Sequence, residues 1–321
     1  MIESGTLVPG IDGDQFGLPP GTALRMERPD AALAPLFSDY HSLDSVLPPG
    51  EVQSAYMLPA WPAIRFILAP RPITVSIGDT VYDPMPVAGL YGTTSRSLLW
   101  TNGGGVTIGA GVTPLGWARL FGRPASGFRD RVVPLAQVLD PALVAEAEAR
   151  LRASDRARDV KPILDSMLSR AVGPPTRYDA DIVTIERLLA DPATVDLASA
   201  AQRFAIDPVR LRRLSNRFFG FPPKTLLMRT RFLRSLVKML MAQGGNDGPV
   251  DYGLVGDDYF DVSHFLRDSD RFLGMTPKRF LALENDYLRA TVRAQHLVFG
   301  APIEAVSEDP RPRTPPRARR S

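Results

Sequence analysis

One eighteen-residue stretch occurs twice in this chain. Asp207 to Lys224 reads DPVRLRRLSNRFFGFPPK, and Asp261 to Lys278 reads DVSHFLRDSDRFLGMTPK. The same residue recurs at Asp207/Asp261, Arg213/Arg267, Ser215/Ser269, Arg217/Arg271, Phe218/Phe272, Gly220/Gly274, Pro223/Pro277 and Lys224/Lys278. Leu211/Phe265 and Phe219/Leu273 are apolar in both copies. Identity at this density without a gap marks an internal repeat. Any fold for the C-terminal half must therefore contain the same small unit twice.

Each copy carries the punctuation of one short helix. Asp207 stands where an N-cap accepts the free N–H groups of the first turn, and Pro208 at the first helical position gives up a donor that has no partner there anyway. Gly220 and Gly274 stand at the left-handed position past the helix end, with Pro223 and Pro277 just beyond. At 100° per residue, Leu211, Leu214 and Phe218 share one face, while Val209, Arg212, Arg213, Asn216 and Arg217 share the other. An apolar back with an arginine and asparagine front suits insertion into a groove of DNA. There Arg pairs with guanine edges or phosphates, and Asn with adenine.

The preceding segment, Val195 to Phe204, is short, alanine-rich and amphipathic, and a three-residue break, Ala205-Ile206-Asp207, separates it from the capped helix. Helix, tight turn and capped second helix is the helix-turn-helix plan, although the turn lacks the glycine often found there. Charge agrees with that plan. From Pro208 to Asn246 there is no Asp or Glu, yet the window holds Arg210, Arg212, Arg213, Arg217, Lys224, Arg229, Arg231, Arg234 and Lys238. The whole chain carries a net charge of only +3, so the positive charge is concentrated here. A basic stripe on helices is the electrostatic footprint of a polyanion; its plain alternative is a solvated surface.

These residues resemble the DNA-binding domain of AraC/XylS-type transcription regulators, in which two helix-turn-helix units are joined by one long helix. The resemblance rests on Leu211 to Pro223 with Arg231-Phe232 downstream. It rests also on Tyr259-Phe260-Asp261-Val262-Ser263-His264-Phe265 with Gly274-Met275-Thr276-Pro277, and it spans roughly Ile185 to Leu283. It implies double-stranded DNA as partner. Val209, Arg212, Arg213 and Asn216, then Ser263, Leu266 and Arg267, are the expected base-facing positions. Arg210, Arg217, His264 and Arg271 lie on the shoulder of the wheel and suit phosphates. The chain departs from the family at Ser215 and Ser269, where an aromatic is usual, and at Asp258, where Gly is usual. Asp268 lies near the core side of the second helix, and Asp270 lies on its presumed base-facing side. The first unit is thus expected to supply most of the affinity. Thr225 to Gln243 reads as the connecting helix; its length of about 28 Å could hold two recognition helices near one turn of DNA apart. Gly244 to Pro249 reads as a flexible link.

The 321 residues suffice for two domains. No stretch approaches a transmembrane span, and Met1 to Asp14 lacks a signal-peptide pattern, so a cytoplasmic protein without a membrane partner is expected. Without cysteine there are no disulfides and no thiolate sites, and the three histidines, His41, His264 and His296, are too scattered to pair at metal-ligand spacing.

Met1 to Leu24 reads as an irregular lead-in. Short β-like runs follow at Ala63–Leu68, Ile73–Tyr82 (turning at Gly78-Asp79), Val87–Tyr91, Ser97–Thr101 and Val106–Ile108, a spacing that suggests a small sandwich or barrel. Thr113 caps an expected helix to Phe121, and another spans Pro141 to Leu151. Gly111 to Gly122 resembles the strand-to-helix passage ending the barrel of some AraC-type regulators. A cupin-like lumen is thereby implied, open to a small-molecule effector, with Trp61, Phe66, Tyr82, Tyr91 and Trp100 as lining candidates or as ordinary core. Gly103-Gly104-Gly105 and Gly109-Ala110-Gly111 lack the Lys-Ser/Thr of a phosphate loop and read as a hairpin turn and a close strand approach. No catalytic triad, nucleophile elbow or cofactor motif is present.

The expected architecture is α+β and multidomain: a β-rich cupin-like sensing domain over residues 1–154, a linker over 155–181, an all-α tandem helix-turn-helix domain over 182–300, and a disordered basic tail over 301–321. Within the linker, Val160 to Arg170 reads as a helix that packs or dimerises, and the resemblance implies a homodimer through it or through the barrel. The function expected is sequence-specific transcription regulation, with no cofactor, no metal and no catalytic residue. Two other classes compete. One is a cupin-like enzyme with a degenerate helical appendage; the other is a protein-interaction module with eroded helix-turn-helix units.

Overall fold

A computed structural model describes residues 1–69, 73–194, 196–243, 250–283 and 286–300; of residues 256–258 it describes the backbone alone. The start of the alanine-rich segment at Val195, the 244–249 link, the side chain of Asp258 and the 301–321 tail lie outside those residues.

The N-terminal half is antiparallel sheet and the C-terminal half is helical. Ten strands are seen among the described residues: β1 (Thr22–Glu27), β2 (Phe37–Ser45), β3 (Gln53–Met57), β4 (Ala63–Ile67), β5 (Thr74–Ile77), β6 (Thr80–Tyr82), β7 (Ala88–Tyr91), β8 (Leu98–Asn102), β9 (Gly105–Val112) and β10 (Val132–Pro134). Six pair in the order β1-β2-β9-β4-β7-β10, and four in the order β3-β8-β5-β6; residues of both sheets line one interior cavity, so the two together form the wall of an open barrel. Strand alternation assigns each side chain a layer. In β4, Ile64 and Phe66 enter a core shared with helices, while Ala63, Arg65 and Ile67 face an interior cavity. In β2, Tyr40 takes the helical side, while Asp39, His41, Leu43 and Ser45 take the cavity side.

β1, β2 and β3 were not foreseen from the sequence. β2 hides because it is polar towards both sides. Asp39 and His41 pair within the cavity, and on the other side Asp44 receives Arg156 at 2.8 Å and the Ile2 amide at 2.8 Å. Gly103-Gly104-Gly105 is also not a hairpin turn. β8 and β9 belong to different sheets, so these glycines carry the chain across; Gly104 adopts φ +90°, and its N–H is held by Asn102 Oδ1 at 2.7 Å. The close approach expected at 109–111 is present. A Cβ on Gly109 would lie 2.5 Å from His41 Nε2, and one on Gly111 would lie 2.3 Å from Asp39 Oδ1.

α1 (Pro114–Leu120) is capped by Thr113 as expected, and α2 (Pro141–Ala153) by Asp140. α3 (Val160–Ala171) occupies the segment read as linker; Val160, Ile163, Leu164, Met167 and Leu168 bury its apolar face inside the chain. That face is therefore spent on internal packing and is not free for a second copy. α4 (Asp179–Ala190), α5 (Leu197–Arg203) and α6 (Pro208–Leu214) follow, and α6 continues as a π-helical turn over Ser215–Phe219. α7 (Pro223–Ala242) is the long connector. A 3₁₀ segment, Tyr252–Asp258, precedes α8 (Val262–Leu273), α9 (Pro277–Leu281) and α10 (Asp286–Phe299).

One apolar core runs from the outer face of the six-stranded sheet through α1–α4 into α5, α6 and the start of α7. A second joins α7, α8 and α9 to Leu58 of the barrel. The lead-in is irregular but anchored: Phe16 packs with Leu24 and Met26 against Ala294 and Val298 of α10, and Arg293 donates to Phe16 O at 3.0 Å.

Candidate nucleic-acid interface and interior cavity

The two repeated helices start and stop alike. Asp207 accepts from the Arg210 amide and Asp261 from the His264 amide, each at 2.7 Å, and Gly220 and Gly274 close the helices at φ +88° and +72°. Repeat partners also match in burial. Leu211/Phe265, Leu214/Asp268, Ser215/Ser269, Phe218/Phe272 and Phe219/Leu273 all point inward. The turn before α6 achieves without glycine what glycine usually provides, because Ala205 takes φ +50°.

The face opposite that core carries the expected contact residues. Val209, Arg210, Arg212, Arg213 and Arg217 are exposed in the first unit, and Ser263, Leu266, Arg267 and Arg271 in the second. Arg212 and Arg213 have no ion-pair partner among the described residues. Others have prior engagements, including Arg271, which lies 5.7 Å over the Phe272 ring. Arg210 pairs with Asp181 at 2.5 Å, Asn216 Nδ2 donates to Arg212 O at 2.8 Å, and Arg217 lies 5.7 Å over the Tyr178 ring. His264 is half-buried, edge-on to Tyr259 and 3.3 Å from Arg231 Nη2.

Two members of the basic stripe, half-buried Arg231 and buried Arg229, turn their guanidinium groups inward. Arg231 turns inward to Asp268 at 3.1 Å and lies over the Tyr259 ring, whose hydroxyl donates to Asp268 at 2.9 Å. Asp268 is only 2% exposed, so the arginine neutralises and the tyrosine hydrogen-bonds a buried carboxylate where the first unit has Leu214. Burial first, and then the Asp268 charge, push the Tyr259 hydroxyl well above its ordinary value and keep it a donor. Arg229, 1% exposed, leaves α7 for the barrel: Nη1 donates to Ala60 O and Thr94 O at 3.1 Å each, and the guanidinium lies 4.1 Å over Trp61.

The second unit touches the barrel elsewhere too. Ser97 donates through its amide to Phe272 O at 2.8 Å and through its hydroxyl to Leu273 O at 3.2 Å, so the start of β8 holds the end of α8. Tyr56 meets Phe280 edge-on.

The barrel interior holds a cavity of about 130 Å³ that is partly open to solvent. Of the candidate rings, Trp61, Tyr91 and Trp100 line it, and Tyr91 and Trp100 belong to a buried apolar core as well. Phe66 does not, because strand alternation sends it to the helical core, and Tyr82 instead accepts from the Val132 amide with its hydroxyl. Several polar side chains line it, among them Arg65, Asn102, Asp39 and His41. Arg65 lies 4.7 Å over the Tyr91 ring, and its buried Nε has no hydrogen-bond partner in the protein; Asn102 Nδ2 is likewise buried without one. Asp39 Oδ2 holds His41 Nδ1 at 2.8 Å. Burial opposes ionisation of Asp39, but His41, Ser38 and the Arg65 charge outweigh it and hold the carboxyl below its ordinary value. Ser38 bonds Asp39 rather than His41, so the three do not form a nucleophile with its base. Among the described residues no group of three His, Cys, Asp or Glu could hold a metal, and no helix is long and apolar enough to cross a membrane.

α10 completes the cavity wall with Tyr287, Thr291 and Gln295. These three, with Arg65, Asp39 and Asn102, were not foreseen. The arginine had a signal, an inward position in the apolar strand AIRFI; the α10 residues had none.

No protein-family model matches the chain, and no curated protein matches its sequence. Among solved structures, ToxT from Vibrio cholerae aligns over 72% of this chain and 97% of its own, at 10% identity and a TM-score of 0.41. The AraC-like transcriptional activator CuxR aligns over 67% of this chain and 87% of its own, at 11% identity and a TM-score of 0.23.

Proposed function

We propose that the protein is a sequence-specific, DNA-binding transcription regulator whose barrel holds a small-molecule effector. The observation that carries this reading is the repeated helix. Two equivalent helices, capped alike and buried alike, present Arg212 and Arg213 in one copy and Arg267 in the other on surfaces that packing leaves open. Arg213 and Arg267 are the base-reading pair at equivalent positions; Arg212, Val209 and Asn216, then Ser263 and Leu266, flank them. Arg210, Arg217, His264 and Arg271 serve the backbone, with His264 and Arg210 released from internal partners on binding. The effector is a largely apolar molecule with one acidic or hydrogen-bond-accepting group, because aromatic rings surround a guanidinium and an amide with unused donors.

Selection from a random duplex pool tests the DNA reading. One enriched motif with two boxes about ten base pairs apart is the expected result. Arg213→Ala then weakens binding to that motif by about 1–3 kcal/mol. A log–log salt slope near −0.9 per phosphate counts the backbone contacts. Failure to enrich any sequence removes the proposal.

A further inference from the structure

The two units differ in one respect that the repeat makes visible. Immediately before the N-cap, the first unit has Ile206, 7% exposed and part of the core, whereas the second has Phe260, 97% exposed. An apolar residue at this position commonly packs on the fourth residue of the helix. In α8 that residue is Phe265, and its ring is already held by Phe232 at 5.4 Å and Tyr259 at 5.3 Å. Phe260 is thus left with no role in packing. Val262 and Leu266, 40% and 36% exposed, continue an apolar strip along the same end of α8. Their equivalents in the first unit are Pro208 and Arg212. On the same helix Arg267 and Arg271 are exposed, and so are Asp270 and the N-cap Asp261; Lys278 and Arg279 are exposed on α9.

We infer that Phe260, with Val262 and Leu266, recognises thymine through its 5-methyl group in the major groove. The inference rests on the DNA-binding reading above and assigns the second unit its own chemistry. The first unit reads by guanidinium, and the second adds apolar contact to its Arg267; the thymine methyl is the one apolar feature a base pair presents in that groove. Arg267, next to Leu266, and Arg271, one turn further along α8, outnumber Asp270, while Asp261 is engaged as the N-cap, and this balance favours a polyanion over an apolar protein surface. The position at the N-terminal end of α8 is where a recognition helix meets base edges.

The test uses the full chain and the duplex recovered by selection, with each thymine of the second box replaced singly by deoxyuridine, which pairs identically but lacks the methyl. Wild type should lose about fourfold in affinity per contacted methyl, the size of one buried methylene. Phe260→Ala should bind the unmodified duplex correspondingly less well and then be indifferent to uracil at the same position, with an unchanged denaturation midpoint and salt slope. If a motif is recovered but wild type ignores every uracil in the second box, this inference fails while the DNA reading stands. If Phe260→Ala keeps both its affinity and its uracil sensitivity, the strip serves a protein partner and the inference is overturned. If no motif is recovered, the parent reading fails and this one with it.

Discussion

Replacing Arg229 by alanine should cost about 3–4 kcal/mol of stability, a figure built up from its contacts. Its guanidinium donates to Ala60 O and Thr94 O and lies over Trp61. Ala60 O also accepts the Thr94 amide at 3.0 Å and would stay satisfied. Thr94 O would lose a charged donor in a buried place, worth about 1–3 kcal/mol. Loss of the desolvated cation–ring contact adds about 1–2 kcal/mol, and loss of the packed methylenes adds the remainder. Relief of a buried charge works in the opposite direction and trims the sum. Arg229→Met retains the stem and loses the grip, so about 1.5–2 kcal/mol is expected for it. The assay is urea unfolding followed by tryptophan fluorescence, comparing midpoints at constant slope. A methionine variant within about 0.5 kcal/mol of wild type would show that the hydrogen bonds and ring contact contribute nothing net, and the reasoning would be refuted.

Three further outcomes can be checked on the same apparatus. Ala205→Gly should stabilise the protein by about 0.5–1 kcal/mol, since Ala205 holds φ +50°, a conformation costly to any residue with a Cβ; destabilisation would show the turn is not strained. Asp268→Ala should cost about 3–5 kcal/mol by stranding Arg231 and Tyr259, whereas Asp268→Leu with Arg231→Leu, copying the apolar first unit, should recover most of that loss; equal losses for the two variants would contradict it. Burial pushes Glu186 up from 4.5 to about 8, with the Leu115 amide opposing. Because its folded value is raised, the group favours the fold fully below pH 4.5, and that contribution is lost as pH rises to about 8. Glu186→Gln should therefore gain about 2–4 kcal/mol over wild type at pH 8 and little at pH 4.5; a difference independent of pH would sink the assignment.

The two repeated units were legible because their signals are local. A cap, a left-handed glycine, a proline and an apolar spacing lie within eighteen residues, and repetition doubles them. α7 was legible as a helix but misjudged as a charged surface. It is packed on several sides, and a helix so placed can use Arg229 and Arg231 to satisfy buried carbonyls and a carboxylate. The cavity was only partly legible because its wall is assembled from residues as distant as Leu24 and Gln295. β2 escaped notice because its buried polar residues have partners elsewhere in the chain, at Ile2 and Arg156, that no local pattern reveals.

The placement of α10 has a thermodynamic consequence. Part of the cavity wall, Tyr287, Thr291 and Gln295, belongs to the helix that follows the second unit. Whatever free energy an occupant draws from those three side chains is returned, kilocalorie for kilocalorie, as tighter docking of that helix on the barrel, because linkage is reciprocal. The same holds for any duplex that prefers the second unit in another position: it must weaken the occupant by the factor by which the occupant weakens it. An isolated barrel, lacking this wall, would report the affinity of a different cavity.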